Sequence, residues 1–296
     1  MSAVAQGTTL ARRARRWEGL PYWLILPTLA YLALFFFWPM VQGFGLAFRD
    51  DNGWTLSALR TMVHDPAFPK AMRFTFLLIV AVIPLQFVLA FGMALILNAR
   101  LKFSGFFMYV FLLPLVISDL AAGIVWSAIF TEHGYLNTIL GGMGLIDQPV
   151  IWLDPRRQSQ LLLAVALAEI WRSTTFVMVI LFAGLQAIPR DYTEAAEVFG
   201  AGFFRRMRHV VLPMLKPSIQ VALLLRIIFA FEVFAVVVAI TGGGATVLAS
   251  QAYQWQVINE NTHVAAAYSV VILGFSLLSA AIVLFVLRTP KERRLR

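Results

Sequence analysis

Residues 194–217 read EAAEVFGAGFFRRMRHVVLPMLKP, a polar and basic segment that separates two long apolar runs. Within it, Glu194-Ala195-Ala196 is followed at fixed spacing by Gly200 and then by Val210-x-Leu212-Pro213. The two alanines and the glycine remove side-chain bulk, so the surface of another protein can approach closely. A chain this apolar has little reason to hold such a segment in water unless a partner docks there, and we expect a docking site.

The composition identifies the bilayer as the solvent for most of the chain. Of its 296 residues, 60% are hydrophobic and only 13% are charged, against about 25% charged in soluble domains. Cysteine is absent, which excludes disulfides and thiolate metal sites. The histidines have no ligand spacing, and the basic residues lie at the ends of apolar runs. We therefore expect no metal site and no nucleic-acid partner. The first apolar run is too long for a cleavable signal peptide.

The hydropathy pattern predicts an all-α polytopic membrane protein with six transmembrane helices. A crossing helix needs about 20 mostly apolar residues, and the runs lack the alternation of a barrel wall. The expected spans are Tyr22–Phe48, Phe74–Leu97, Phe106–Phe130, Leu161–Ala187, Ile219–Ile240 and Val264–Leu287. Between the first two spans, residues 49–73 are expected to form turns with a short helix between them.

The distribution of basic residues predicts the orientation. Sixteen Lys and Arg lie in the terminal segments and in the second and fourth loops, against six in the other loops. This excess places both termini and the loop at about 189–217 in the cytoplasm. We expect an N-terminal arm at 1–21, a single transmembrane domain at 22–288 and a basic tail at 289–296.

The cytoplasmic loop is predicted to be a helical hairpin. Pro189 ends the fourth span, a short helix covers 192–199, and Gly200 breaks it with a left-handed turn. A second helix carries apolar residues at helical spacing, namely Phe203, Phe204, Met207 and Val211. Pro213, after Leu212, and Pro217 are expected to stop it. A solvated hairpin held by its own apolar face is the simpler alternative, but it leaves the small residues at the bend unexplained.

Glu169, Arg172, Arg226 and Glu232 are ionisable residues that fall inside the predicted fourth and fifth spans. A charge at mid-bilayer costs about 2.5–3.5 kcal/mol on insertion scales, so it usually faces a partner or a wet cavity. Glu169 and Arg172 are three residues apart and can pair on one helix face. Arg226 and Glu232 point in different directions, and we expect them to partner different elements, the fourth span among them.

Two interpretations of these charges remain open. The first is a polar solute site between the fourth and fifth spans, with Trp171 and Phe176 as stacking surfaces. The second is a buried ion-pair network that fixes the register of the helices. Asp119 in the third span is a weaker site candidate, and it is also suited to cap a helix break after Pro114.

The segment at 194–217 resembles the EAA loop of bacterial ATP-binding-cassette importer permeases, whose consensus is E-A-A-x3-G-x9-I-x-L-P. Other stretches resemble the carbohydrate-uptake subfamily of MalF- and UgpA-like, binding-protein-dependent inner-membrane components. They are Pro21-Tyr22-x3-Leu26-Pro27, Phe37-Trp38-Pro39, Trp171-Arg172, Gly184–Pro189 and Thr241–Gly244. The type I importer permease fold is implied. Phe199 departs from the Asp of many members, and Ala245 from the frequent Pro.

The resemblance also implies roles for individual residues of the ATPase contact, whereas for the substrate path it supports the region on the fourth and fifth spans more than any single side chain. The residues expected at the ATPase contact are Glu194, Ala195, Ala196, Gly200, Ala201, Leu212 and Pro213. The candidate residues of the substrate path are Glu169, Trp171, Arg172, Ser173, Phe176, Arg226, Phe229, Glu232 and Val233. Those of the loop facing the binding protein are Thr241, Gly242, Gly243 and Gly244.

The partners implied by the resemblance are a second, MalG-like permease, two ATPase subunits and an extracytoplasmic solute-binding protein. The chain is expected to be a non-catalytic, multi-pass subunit of a prokaryotic inner membrane without a cofactor of its own. ATP and Mg²⁺ then bind to the ATPases, and the sequence has no G-x4-G-K-[ST] loop to hold nucleotide. The implied mechanism is alternating access.

A mono-, di- or oligosaccharide is the expected solute, with glycerol-3-phosphate or a related polyol ester as the alternative. An ion-coupled secondary transporter also needs midplane charges, but it leaves residues 194–217 unexplained. An intramembrane enzyme lacks support, since no His-Glu-x-x-His occurs and no Gly-x-Ser-x-Gly lies on a span.

Overall fold

The computed structural model describes residues 20–50, 53–99 and 101–287, with side chains from Trp23 onward. Strands within these ranges are limited to β1 (Arg49–Asp50) and β2 (Gly53–Trp54), which form an antiparallel hairpin. The predicted tail and all but the last two residues of the predicted arm lie outside the described ranges.

The first span is a continuous helical rod that leaves the bundle over most of its length and packs on the sixth span at its C-terminal end, where Ala47 is buried. It consists of α1 (Leu20–Leu32), a π-helical turn (Ala33–Phe37), α2 (Trp38–Gly45) and a 3₁₀ turn (Leu46–Phe48). Every side chain from 23 to 43 is exposed. The length and apolar character of this rod suit a membrane crossing whose surface meets lipid or another protein.

The second and fourth spans form the centre of the molecule. The short helix α3 (Ser57–His64), expected in the first outer loop, leads into α4 (Ala67–Asn98). The fourth span is α8 (Gln158–Gln186), and it packs along most of α4. Their contact is built largely from alanine and medium-sized apolar side chains such as Ala90, Ala94 and Val177, because small residues let membrane helices approach closely.

The third span is broken rather than straight. It comprises α5 (Ser104–Val116) and α6 (Asp119–Phe130), and α7 (Tyr135–Gly142) follows in the outer loop. Ile117 is extended and the Ser118 hydroxyl accepts a hydrogen bond from the Ala121 N–H, so Ser118, rather than Asp119, caps the new helix. The stretches before and after the break meet at 99°.

The hairpin that is predicted to be cytoplasmic has the predicted bend but not the predicted stop. Its helices are α9 (Arg190–Val198) and α10 (Phe203–Arg206), followed by a π-helical turn (Met207–Val211) and α11 (Leu212–Phe231). The expectation that Pro213 and Pro217 end the second helix is wrong, since α10 runs through to α11. The π-turn shifts the backbone bonding to a five-residue spacing, with the Leu212 N–H bonded to the Met207 carbonyl, so Pro213 falls where its missing donor is tolerated.

The fifth span is likewise interrupted, at Glu232–Phe234, before α12 (Ala235–Thr241). Gly123 of α6 faces α12 so closely that a Cβ there would lie 2.5 Å from the Ala239 Cβ. The chain continues through α13 (Leu248–Tyr253), a π-helical turn (Gln254–Ile258) and α14 (Thr262–Val286), the sixth span. With the bent third span counted once, the described residues hold six candidate crossings, which confirms the predicted fold class.

The loops expected outside the membrane lie together at one end of the bundle. The Trp255 indole N–H and the Tyr268 hydroxyl both donate to the Asp65 carboxylate, each at 3.0 Å. The Gln158 side-chain amide donates to the Gly244 carbonyl at 3.0 Å. These contacts join the three loops that were predicted to lie outside the membrane. Successive spans cross the membrane in opposite directions, so these loops must share one side.

Candidate functional site

A buried ion-pair network joins three spans at the level of the helix breaks. Glu169 of α8 is fully buried, and one of its carboxylate oxygens, Oε2, accepts from Arg226 Nη2 of α11 at 2.9 Å. Arg226 Nε donates to Gln86 Oε1 of α4 at 2.7 Å, and Gln86 Nε2 donates to the Glu169 carbonyl at 2.7 Å. Every link crosses between helices, so the network fixes the relative register of α4, α8 and α11.

Arg172 extends this network toward the third span. Its Nη2 lies 3.3 Å from Glu169 Oε1, as the three-residue spacing predicts, and its Nη1 lies 2.6 Å from Asp119 Oδ1 at the start of α6. The remaining nitrogen, Nε, is buried without a hydrogen-bond partner. A buried donor of this kind is costly unless a ligand or water satisfies it.

A cavity of about 310 Å³ lies beside the network, where the breaks of the third and fifth spans meet. It is lined by Leu115, Asp119, Arg172, Ser173, Phe176, Arg226, Phe229, Glu232 and Val233. The Phe176 and Phe229 rings meet edge to face at 5.5 Å. Charged groups, one hydroxyl and two aromatic rings around one cavity suit a polar organic ligand.

The structure gathers most of the substrate-path residues expected from the sequence. Arg172, Ser173, Phe176, Arg226, Phe229, Glu232 and Val233 line the cavity, and Glu169 lies directly behind them. Arg226 pairs with the fourth span, as expected. Glu232 lines the same cavity but has no side-chain partner shown among the described residues.

Trp171 does not join this group. Its ring meets Trp126 at 6.1 Å on another face of α8, because a residue next to Arg172 is rotated by about 100° around the helix. Two cavity or network residues lay outside the expected path, Leu115 and Gln86. Gln86 carried a usable signal, since it is the sole amide in the predicted second span.

The bend of the hairpin has the conformation that its glycine predicts. Gly200 has φ +76°, its N–H bonds to the Glu197 carbonyl, and the Ala201 N–H bonds to the Ala196 carbonyl. This is the pattern of a helix ended by a left-handed residue. A Cβ on Gly200 would meet open space, so the requirement for glycine there is the backbone angle, not crowding by this chain.

Several apolar residues at the bend face outward, whereas Met207 and Val211, further along the chain, pack on the core formed by α4 and α8. Val198 is 85% exposed, Phe199 89% and Phe204 85%. An ion pair between Glu197 and Arg206 joins α9 to α10 across the bend. The alternative of a hairpin held by its own apolar face is therefore not supported. Leu212 and Pro213 lie in the helix that leads into the fifth span, away from the bend itself.

The hairpin is mechanically connected to the cavity through α8 and α11. At Gly184 of α8, a Cβ would lie 2.2 Å from the Ser218 Oγ of α11, so the two helices touch just above the hairpin. The same two helices carry Glu169 and Arg226 further along. A displacement of the hairpin must therefore move helices that form the cavity wall.

At the opposite end, the glycine loop after α12 adopts two left-handed residues, Gly242 with φ +56° and Gly243 with φ +92°. The Thr241 hydroxyl donates to the Val237 carbonyl and accepts from the Ala245 N–H. Gly244 is held by the Gln158 amide. The loop is thus a fixed turn at the outer end of the bundle.

Comparisons with known proteins agree with this architecture. Residues 86–296 match the family described as "Binding-protein-dependent transport system inner membrane component". The chain is 33% identical over 233 residues to the trehalose/maltose transport system permease protein MalF of Thermococcus litoralis, covering 76% of this chain and 78% of that protein. It is 28% identical over 267 residues to the sn-glycerol-3-phosphate transport system permease protein UgpA of Agrobacterium fabrum, covering 86% of this chain and 89% of that one.

Among solved structures, a chain of a bacterial ABC transporter involved in the import of the acidic polysaccharide alginate has a similar fold. The TM-score is 0.76 at 21% identity, and the alignment covers 95% of this chain and 98% of that chain.

Proposed function

The chain belongs to the family of binding-protein-dependent transport system inner membrane components, and from this membership we propose that it lines the solute path of an ATP-driven carbohydrate importer. The observation that carries the proposal is the cavity at the two helix breaks, where charged and aromatic side chains face each other inside a membrane domain. Family membership favours this function over an ion-coupled transporter or an intramembrane enzyme.

Carbohydrate is the solute class that suits the wall of this cavity. Ser173 and the carboxylates of Asp119 and Glu232 offer hydrogen-bonding partners for hydroxyl groups. The Phe176 and Phe229 rings offer apolar surface to the C–H face of a sugar ring. A polyol ester shares the hydroxyl groups, and one similar permease is named for such a solute.

A second permease is needed to complete the path. Glu232 is exposed in the described chain, and the Asp119 side chain is half exposed at mid-span. Carboxylates cannot face hydrocarbon without a large cost, so protein or a water-filled path covers them. A MalG-like permease is the partner that the family implies.

The hairpin at Glu194–Gly200 is the proposed contact with the ATPase subunits. Its exposed apolar residues, its ion-paired bend and its connection to α8 and α11 suit a part that transmits force. We assign Glu194, Ala195, Ala196, Gly200 and Ala201 to the contact itself. Leu212 and Pro213 belong to the helix that carries the motion inward. Nucleotide and Mg²⁺ are held by the ATPases, and this chain has no cofactor in the proposal.

The solute-binding protein is proposed to dock at the outer end, where Thr241, Gly242, Gly243 and Gly244 form the fixed turn. ATP-driven closure of the ATPases draws the hairpins together and opens the cavity toward that protein. Hydrolysis returns the cavity to the cytoplasmic side.

The experiment is solute uptake by proteoliposomes that contain the assembled importer, its binding protein and internal ATP. The probes are radiolabelled trehalose, maltose, lactose and glycerol-3-phosphate. We expect ATP-dependent uptake of at least one probe. Phe229→Ala should lower kcat/KM about three- to tenfold, since it removes one aromatic face. Phe106→Ala, on the exposed face of α5, should have no such effect. Uptake without ATP, or normal uptake by Phe229→Ala, contradicts the proposal.

A further inference from the structure

We infer that Glu232 makes this path selective for uncharged glycans and against anionic solutes such as sugar phosphates and uronates. The inference rests on the proposed carbohydrate function and narrows it. That function admits neutral sugars and charged esters alike, and the electrostatics of the cavity separate the two.

The charges around the cavity do not balance. Two guanidinium groups, Arg172 and Arg226, face three carboxylates, Glu169, Asp119 and Glu232. Of the residues that line the cavity, these arginines carry its entire positive charge. They balance Asp119 and Glu232 in the lining, and Glu169, directly behind it, brings the cluster as a whole to one net negative charge.

Both guanidinium groups are already committed to other residues. Arg226 is 3% exposed, with Nη2 on Glu169 and Nε on Gln86. Arg172 spends its two terminal nitrogens on Asp119 and Glu169. An incoming phosphate or carboxylate that made a bidentate contact would compete with Asp119 for Arg172 or with the buried Glu169 for Arg226. Displacement of Glu169 leaves a buried carboxylate uncompensated.

Glu232 is the one carboxylate of the three without a side-chain partner among the described residues. It follows the last residue of α11 as its C-terminal cap, where the partial negative charge of the helix dipole adds to its own. A carboxylate in this position accepts hydrogen bonds from sugar hydroxyls and repels an anion in the same space.

The test is equilibrium binding to the assembled importer in lipid nanodiscs, without binding protein or ATP, measured by saturation-transfer NMR titration. This omits the binding protein, whose own preference would otherwise enter the result. The probes are matched pairs: trehalose with trehalose 6-phosphate, maltose with maltose 6′-phosphate, and glycerol with glycerol 3-phosphate. The variants are Glu232→Gln, which keeps the shape and removes the charge, and Glu260→Gln, at an exposed outer-loop position away from the cavity.

We expect at least one neutral probe to bind and its phosphorylated counterpart to bind at least tenfold more weakly. The gap, meaning the ratio of the two dissociation constants, should be at least fivefold smaller in Glu232→Gln. Glu260→Gln should leave the gap as in the wild type. Equal or tighter binding of the phosphorylated probe overturns the inference while the carbohydrate function stands. A gap that Glu232→Gln leaves unchanged also overturns it, because Glu232 then faces the partner permease. If no probe of any pair binds saturably, the carbohydrate function itself fails.

Discussion

At the residue scale, Glu169 shows how far side-chain spacing leads. Its three-residue distance from Arg172 predicted their pairing. The expectation that Arg226 and Glu232 face different directions is wrong, since both line the cavity. The helix ends at Phe231, so the regular rotation of about 100° per residue does not extend to Glu232. Spacing gives a rotation about a residue's own helix, but it does not say which neighbouring helix lies on that side. For this reason Gln86 was missed and Trp171 was wrongly placed at the cavity.

The network makes a specific prediction about stability. Glu169→Ala leaves Arg226 buried without its carboxylate, a change that costs about 3–5 kcal/mol in buried pairs. We expect the midpoint of thermal unfolding of the purified complex, followed by tryptophan fluorescence, to fall by several degrees. The double variant Glu169→Leu with Arg226→Met should recover more than half of that loss, since it removes both charges.

The double variant also separates the two interpretations of these charges. If the network only fixes helix register, the double variant regains uptake together with stability. If the charges belong to the substrate path, stability returns and uptake does not. A single Glu169→Ala variant with unchanged stability and uptake would contradict any role for the network.

At the element scale, the sequence predicted the breaks that have a backbone cause and missed those that have a packing cause. Gly200 marks its bend because only glycine readily adopts φ +76°. The break at Glu232–Phe234 carries neither glycine nor proline, and it forms where α12 packs tightly on Gly123 of α6. Pro213 predicted a helix end that does not occur, because a π-helical turn accommodates it.

The bend provides a matched pair of substitutions. Gly200 and Gly202 both have open space where a Cβ would lie, but Gly202 has φ −65°, which any residue adopts. Gly200→Val places a β-branched residue in the left-handed region and should distort the bend. We expect solute-stimulated ATP hydrolysis by the reconstituted importer to fall at least tenfold, with normal membrane insertion.

Gly202→Val is the control for the added bulk, and it should retain most of the stimulated hydrolysis. Equal activity of the two variants, at the wild-type level, would show that the left-handed bend has no part in coupling.

At the scale of the whole molecule, the six crossings and their alternation were readable from hydropathy, and the family assignment agrees with them. The exposed surface of the first span and the open side of the cavity could not be predicted from hydropathy. Both depend on which surfaces the chain leaves without a packing partner. The side of the membrane on which the hairpin lies rests on the basic loops, and it stays a prediction.

The measurement that tests the account most directly is cysteine labelling at the hairpin. The chain has no native cysteine, so Ala195→Cys gives a single site on the exposed face of α9, and Gly141→Cys gives an exposed control in the outer loop. A membrane-impermeant maleimide is applied to right-side-out and inside-out vesicles, with the ATPase subunits present or stripped.

We predict that Ala195→Cys is labelled only from the cytoplasmic side and only after the ATPases are removed, while Gly141→Cys is labelled only from outside in both cases. Labelling of Ala195→Cys from outside, or labelling from the cytoplasmic side that bound ATPases do not reduce, would contradict the claim that a separate nucleotide motor drives this protein through the hairpin.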